Sequence, residues 1–168
     1  MFISVRYLTI QVRMEMAEIQ EFIRWNASMK LGIPIIDEQH TNLMRIVDNL
    51  QLTSEKCTDY ARQRFIGAAN EAIEYIKYHF ATEEKLMKLL EYPKNTEHLN
   101  EHKGCLWELT TISEQFRDEE YSDFRQFIVY LNEWIVTHVC GSDRHFANYF
   151  FNMQHHSKLK VLAVGGLA

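Results

Sequence analysis

Between Tyr78 and His102 the chain sets His79 and Glu83 four residues apart, then His98 and His102 four apart, on either side of a break at Tyr92-Pro93. Residues four apart share one face of a helix. An imidazole–carboxylate pair and a pair of imidazoles on two helices joined by a tight turn read as half of a metal site. The other half is supplied by His40, His138 and an acidic residue near His138, for which Asp143 is the candidate. A regular helix turns about 100° per residue, so a residue five past His138 is off the seam unless the helix widens locally into a π-type turn. Gly141 would ease that distortion. Five imidazoles and two carboxylates are too many for one tetrahedral zinc. They suit two six-coordinate ions that share both carboxylates. Imidazole with carboxylate, and no thiolate at ligand spacing, points to iron or manganese rather than structural zinc or copper(I).

A single histidine on an apolar helix face is ordinarily a hydrogen-bonded core residue. Five together with Glu83 are not explained that way, because burying them unpaired costs several kcal/mol per group, which a metal removes. His145, His155 and His156 lie past the seam and read as surface residues. Cys105 and Cys140 lie near the layer without a partner at ligand spacing.

The elements that must position these groups are legible as apolar stripes spaced alternately by four and three. A first helix, starting after Pro34 with Asp37 as its N-cap, turns Ile36, His40, Leu43, Val47 and Leu50 inward and ends in the 53–59 stretch. A second, over about 60–91, turns inward Ala72, Ile76, His79, Glu83, Leu86 and Leu90. The third, over about 95–117, does the same with His98, His102, Cys105, Leu109, Ile112 and Phe116. A fourth opens near Ser122 and carries Phe124, Phe127, Leu131, Trp134 and His138. Four such helices predict an all-α, antiparallel up-down four-helix bundle. The midpoints of His40/His79, Glu83/His98 and His102/His138 fall at or beside the three expected turns, so the ligands share one layer.

The expected organisation is an N-terminal arm or extension (1–24), the bundle (25–152) and a C-terminal tail (153–168) that frays. The arm holds at most a short helix near 17–25, and Met14 and Met16 are alternative starts. A chain of 168 residues can bury a core unaided, and its net charge of −5 argues against nucleic-acid and anionic-membrane partners. No run approaches the ~20 apolar residues of a membrane span, and the first thirteen residues lack a signal-peptide core. Six glycines and two prolines favour long helices over a β-sandwich, and three cysteines without a CxxC fit reduced thiols in the cytoplasm.

The segments Gly32-Ile33-Pro34-Ile35-Ile36-Asp37-Glu38-Gln39-His40, His79-Phe80-x-x-Glu83-Glu84, His98-x-x-x-His102 and Trp134-Ile135-x-x-His138-x-x-x-x-Asp143 resemble the hemerythrin family, specifically the bacteriohemerythrins. The resemblance covers about residues 25–151. It implies one iron on His98, His102 and His138 and a second on His40 and His79 with an open position for O2. Glu83 and Asp143 would bridge them together with an oxo or hydroxo group. Phe80, Trp134, Ile135 and Val139 flank ligands and would wall the O2 pocket, with Ile135 over the open iron. Phe146 departs from the Tyr that relatives often carry, without touching a ligand.

The function expected is therefore reversible O2 binding for carriage, storage or delivery, by a non-enzyme and a monomer. An oxidase, peroxidase or nitric-oxide reductase is disfavoured, since no spare acid or base lies among the inward residues. An O2 or redox sensor would need a partner protein, reached through the arm or tail.

Overall fold

The computed structural model describes residues 25–54, 59–116 and 124–165, with side chains described through residue 154 except that of Asp59. Four helical rods form the bundle, and no strand occurs among the described residues. They are α1 (Pro34–Ser54), α2 (Asp59–Leu89), α3 (Asn95–Gln115) and a composite fourth rod. The fourth joins α4 (Arg125–His138), a π-helical turn (Val139–Asp143) and α5 (Arg144–Gly165). Backbone angles stay helical across both junctions, −60°/−45° at Val139 and −61°/−40° at Arg144, so the rod is continuous.

The inward stripe of α1 is buried throughout, as are Ala72, Ile76, His79 and Glu83 of α2 and His98, His102, Cys105, Leu109 and Ile112 of α3. Late in α2 the stripe departs from the expected register. Met87 is fully buried, whereas Leu86 and Leu90 are half-buried. A straight helix drifts about 20° per heptad from a strict seven-residue repeat, so the inward position moves from residue 86 to 87. In α4, likewise, Ile135 is buried and Trp134 half-buried.

Asp37 is not the N-cap of α1. Pro34 occupies the first helical position, where its missing N–H costs nothing, so the helix opens four residues earlier than a cap at Asp37 would place it. The Ile33 carbonyl accepts from the N–H of Ile36 (3.0 Å) and of Asp37 (2.9 Å). The Asp37 carboxylate instead reaches back, accepting from Leu31 N–H at 2.7 Å and Gly32 N–H at 2.9 Å. Gly32 sits at φ +85°, and a Cβ there would lie 3.2 Å from the Phe151 ring. With Met29, Leu31 and Ile33 buried, this segment straps one end of the bundle. Arg144 holds the strap from the other side, donating to the carbonyls of Lys30 and Ser28 at 2.6 Å each.

At that same end, α2 closes with Glu91 in the left-handed region (φ 51°). Tyr92 N–H bonds Met87 O (2.9 Å) and Glu91 N–H bonds Lys88 O (3.3 Å), the paired bonds of a Schellman ending. The Tyr149 hydroxyl donates to the Leu90 carbonyl at 3.0 Å, and Phe146 packs edge-on against Tyr92. The opposite end is plugged by Phe65, Phe116, Phe124 and Phe127, with Phe65 stacked on Phe124 at 4.5 Å. The arm (1–24), the segment where at most a short helix is expected and the expected opening of the fourth helix near Ser122 lie outside the described residues. The last helix runs on to Gly165, through most of the expected tail.

Candidate metal centre

The layer beside the strap is polar. His40, His79, Glu83, His98, His102, His138 and Asp143 are each at most 5 % exposed, so all seven expected ligands are buried together. They come from every rod: His40 from α1, His79 and Glu83 from α2, His98 and His102 from α3, His138 and Asp143 from the fourth. The π turn does what the five-residue spacing required, bringing Asp143 Oδ1 to 3.0 Å from His138 Nε2.

The donor atoms form two overlapping groups, each able to surround one ion. Glu83, His98, His102, His138 and Asp143 make the first; His40, His79, Glu83 and Asp143 make the second. Both carboxylates belong to both groups. Asp143 divides its oxygens between them, Oδ1 3.2 Å from His98 Nε2 and Oδ2 3.2 Å from His40 Nε2. Glu83 Oε2 lies 3.3 Å from His102 Nε2, and Oε1 faces His40 Nε2 at 3.9 Å.

Hydrogen bonding in the layer is incomplete in a way that a cation would complete. Neither oxygen of Glu83 or Asp143, and neither nitrogen of His40, makes a hydrogen bond among the described residues. The His138 Nε2 atom lies 3.0 Å from His98 Nε2 and 3.2 Å from His102 Nε2. Glu101 faces His138 Nδ1 at 2.9 Å and Glu84 faces His102 Nδ1 at 3.2 Å. A carboxylate can only accept, so both Nδ1 atoms carry a hydrogen, and in the neutral ring that a metal requires each Nε2 presents a lone pair. Lone pairs converging at such distances repel unless a positive charge sits among them. The donor set fits a metal.

Charge states agree. Burial drives His79 down to about 4, against the pull of Glu83, leaving a neutral imidazole. Burial and Asp143 push Glu83 up, but His79, His102 and His98 prevail and lower it to about 2. Asp143 is likewise held well below the usual range, burial opposing and His138, His40 and His98 winning. Burial lowers His98, but Asp143 and Glu83 outweigh it and raise it to about 9. A proton there stands in for the cation that two buried carboxylates demand.

The sequence matches the hemerythrin HHE cation binding domain over residues 31–150. The chain belongs to the hemerythrin family. It is similar to a bacteriohemerythrin of Stenotrophomonas maltophilia, 26 % identical over 74 % of this chain and 78 % of the relative. A hemerythrin-like protein of Naegleria gruberi is 25 % identical over 71 % of this chain and 86 % of its own length. A wild-type hemerythrin crystal structure superposes with a TM-score of 0.69 over 76 % of this chain and 97 % of its own, at 20 % identity, which places the fold.

Around this hemerythrin-type layer, Phe80 lies parallel to His102 at 3.7 Å between ring centres, and Trp134 stacks on His138 at 4.2 Å. Phe80, Ile135 and Val139 are buried, whereas Trp134 is half-buried. Trp25 approaches His40 at 5.7 Å. Cys105 is buried but outside both donor groups, with burial pushing its thiol up; Cys140 and His145 are exposed. Sequence reasoning assigned no role to Gln39, Glu84 and Glu101, the groups behind the ligands. Their signal was position: each lies one residue from a ligand, at the edge of the inward stripe. No helix among the described residues is long and apolar enough to cross a membrane.

Proposed function

We propose that this chain binds O2 reversibly at a di-iron centre and is not itself an enzyme. The observation that carries this reading is the pair of overlapping donor groups that share Glu83 and Asp143. Five donors converge on one position and four on the other, so the His40/His79 position is the one with room for an added ligand. His98, His102 and His138 would hold one iron, His40 and His79 the other, with an oxo or hydroxo group completing the bridge. Imidazole and carboxylate donors without thiolate favour iron over copper(I) or structural zinc. Bound here, two iron(II) ions supply the two electrons that reversible O2 binding requires.

The chain's own residues favour release over turnover. Neutral imidazoles outnumber carboxylates, which limits the negative charge available to stabilise high oxidation states. Ile135, Val139 and Phe80 are buried beside the ligands and keep water from the centre. The bacteriohemerythrin relative supports the same reading. The test is anaerobic, reduced, iron-loaded protein mixed with O2 in a stopped-flow spectrometer, with O2 consumption followed alongside an electron donor. A new absorption band that reverses on removing O2, without sustained consumption, is the expected result. Continuous consumption overturns the carrier reading in favour of an oxidase, and no spectral change overturns O2 binding.

A further inference from the structure

The hydrogen-bond partners behind the ligand histidines differ between the two metal positions. On the three-histidine side they are anionic: Glu84 behind His102 at 3.2 Å and Glu101 behind His138 at 2.9 Å. On the two-histidine side the partner is a neutral amide, with Gln39 Oε1 3.0 Å from His79 Nδ1. The orientation of that amide is fixed. Thr82 donates its hydroxyl hydrogen to the Tyr78 carbonyl (3.0 Å), so its oxygen accepts from Gln39 Nε2 (3.1 Å), and Oε1 is left to face His79. Each side also has one histidine whose Nδ1 has no hydrogen-bond partner among the described residues, His40 here and His98 on the other, so the contrast lies in the partners of the remaining rings.

We infer that Glu84 and Glu101 make the three-histidine position the tighter of the two, so that the ions load in a fixed order and the His40/His79 ion is last in and first out. This inference rests on the two-ion reading above. A carboxylate accepting from Nδ1–H draws that proton away and leaves more electron density at Nε2, the ligating atom; an amide does so less. The shared Glu83 and Asp143 contribute to both positions and do not set the difference between them. Glu84 and Glu101 have side chains 40 % and 45 % exposed, so solvent screens their charge through space. Their influence runs through the hydrogen bond itself. The three-histidine side also has one more imidazole, so the order alone does not isolate the carboxylates; selective variants do.

The experiment titrates the metal-free full chain with Co2+ against a competing chelator, reading the visible absorption of the bound ion. Wild type is expected to take up two Co2+ in two resolved steps, and His40→Ala to lose the weaker one. Removing a partner behind a metal-ligating histidine typically weakens binding about 10–100-fold. Because Gln keeps an acceptor and loses only the charge, Glu84→Gln and Glu101→Gln should each weaken the tighter step by about tenfold, at the low end of that range. The weaker step should stay unchanged. Gln39→Glu should do the reverse, strengthening the weaker step by a similar factor as the Thr82 hydroxyl turns to the new carboxylate. A purely structural role would move both steps together. Uptake of fewer than two Co2+ removes the two-ion reading and this inference with it. Two Co2+ in one merged step, variants that shift both steps equally, or variants that shift neither overturn the inference alone.

Discussion

Each ligand histidine is a two-ended device, one nitrogen turned to the layer and the other anchored or left bare, and the carboxylates are the parts both ions would share. Glu83 is fully buried, with its two oxygens facing histidines of both donor groups. His40 belongs to one group only. Glu83→Ala should therefore lose both irons and His40→Ala only one, measured as iron per chain after desalting. Two irons and an unchanged spectrum in Glu83→Ala would remove the bridge. The same groups fix the pH response of the metal-free protein. His79 is lowered from 6.5 to about 4, so between those values the unfolded chain binds more protons and stability falls on acidification. His98 is raised from 6.5 to about 9, so its contribution is complete below 6.5 and is lost as pH rises through 9. Glu83 and Asp143, both depressed, add stability above their ordinary carboxylate values and lose it only in stronger acid. Denaturant midpoints of metal-free protein should peak near pH 6.5. With metal bound, His98 must be neutral and the alkaline decline should vanish. A monotonic profile through neutrality in the metal-free protein would contradict these assignments.

At the scale of elements, the π turn is the one departure from regular helix that the site needs. In an unbroken α-helix Asp143 would point about 140° away from His138. The five-residue spacing made this widening legible in the sequence, but the ease attributed to Gly141 is not a steric need. A Cβ at Gly141 meets nothing within 4 Å, and its φ is not positive. Gly141→Ala should keep its metal and gain about 0.4–1 kcal/mol by restricting the unfolded chain. Metal analysis and thermal melting check both parts, and loss of iron would show that the turn depends on glycine. Gly32→Ala is the contrasting case, with φ +85° and the Phe151 ring at 3.2 Å, and should destabilise by about 1 kcal/mol or more. The stripes themselves were readable because a buried helix face repeats on a fixed period. Asp37 was misassigned because a cap depends on where the helix opens, and Pro34 opens it earlier. Met87 displaced Leu86 through slow helical drift. Gln39, Glu84 and Glu101 were not given roles because a residue one step from a ligand reads as surface until the neighbouring rod is in place.

Across the whole molecule the stabilising groups are divided between two ends. The Phe65–Phe116–Phe124–Phe127 plug is an apolar ring cluster, whereas towards the opposite end lies a layer of seven polar side chains. That layer is also tied to the strap: Trp25 lies against His40, and Arg144, next to Asp143, grips the carbonyls of Ser28 and Lys30. Removing metal leaves converging lone pairs and two buried carboxylates at this end, so metal binding should appear directly as folding free energy. One ion at a thousandfold excess over its Kd adds about 4 kcal/mol. In a chain of this size each kcal/mol moves Tm by about 2–4 °C. Metal-free protein should accordingly melt roughly 10 °C or more below the loaded form. The loss should be uneven along the molecule. Hydrogen exchange at the Leu31 and Gly32 amides, held by Asp37, should quicken on metal removal, while amides of α2 around Phe65 should change little. Equal melting temperatures would rule out a buried metal layer, and uniform loss of protection along all four rods would show that the two ends are not independent.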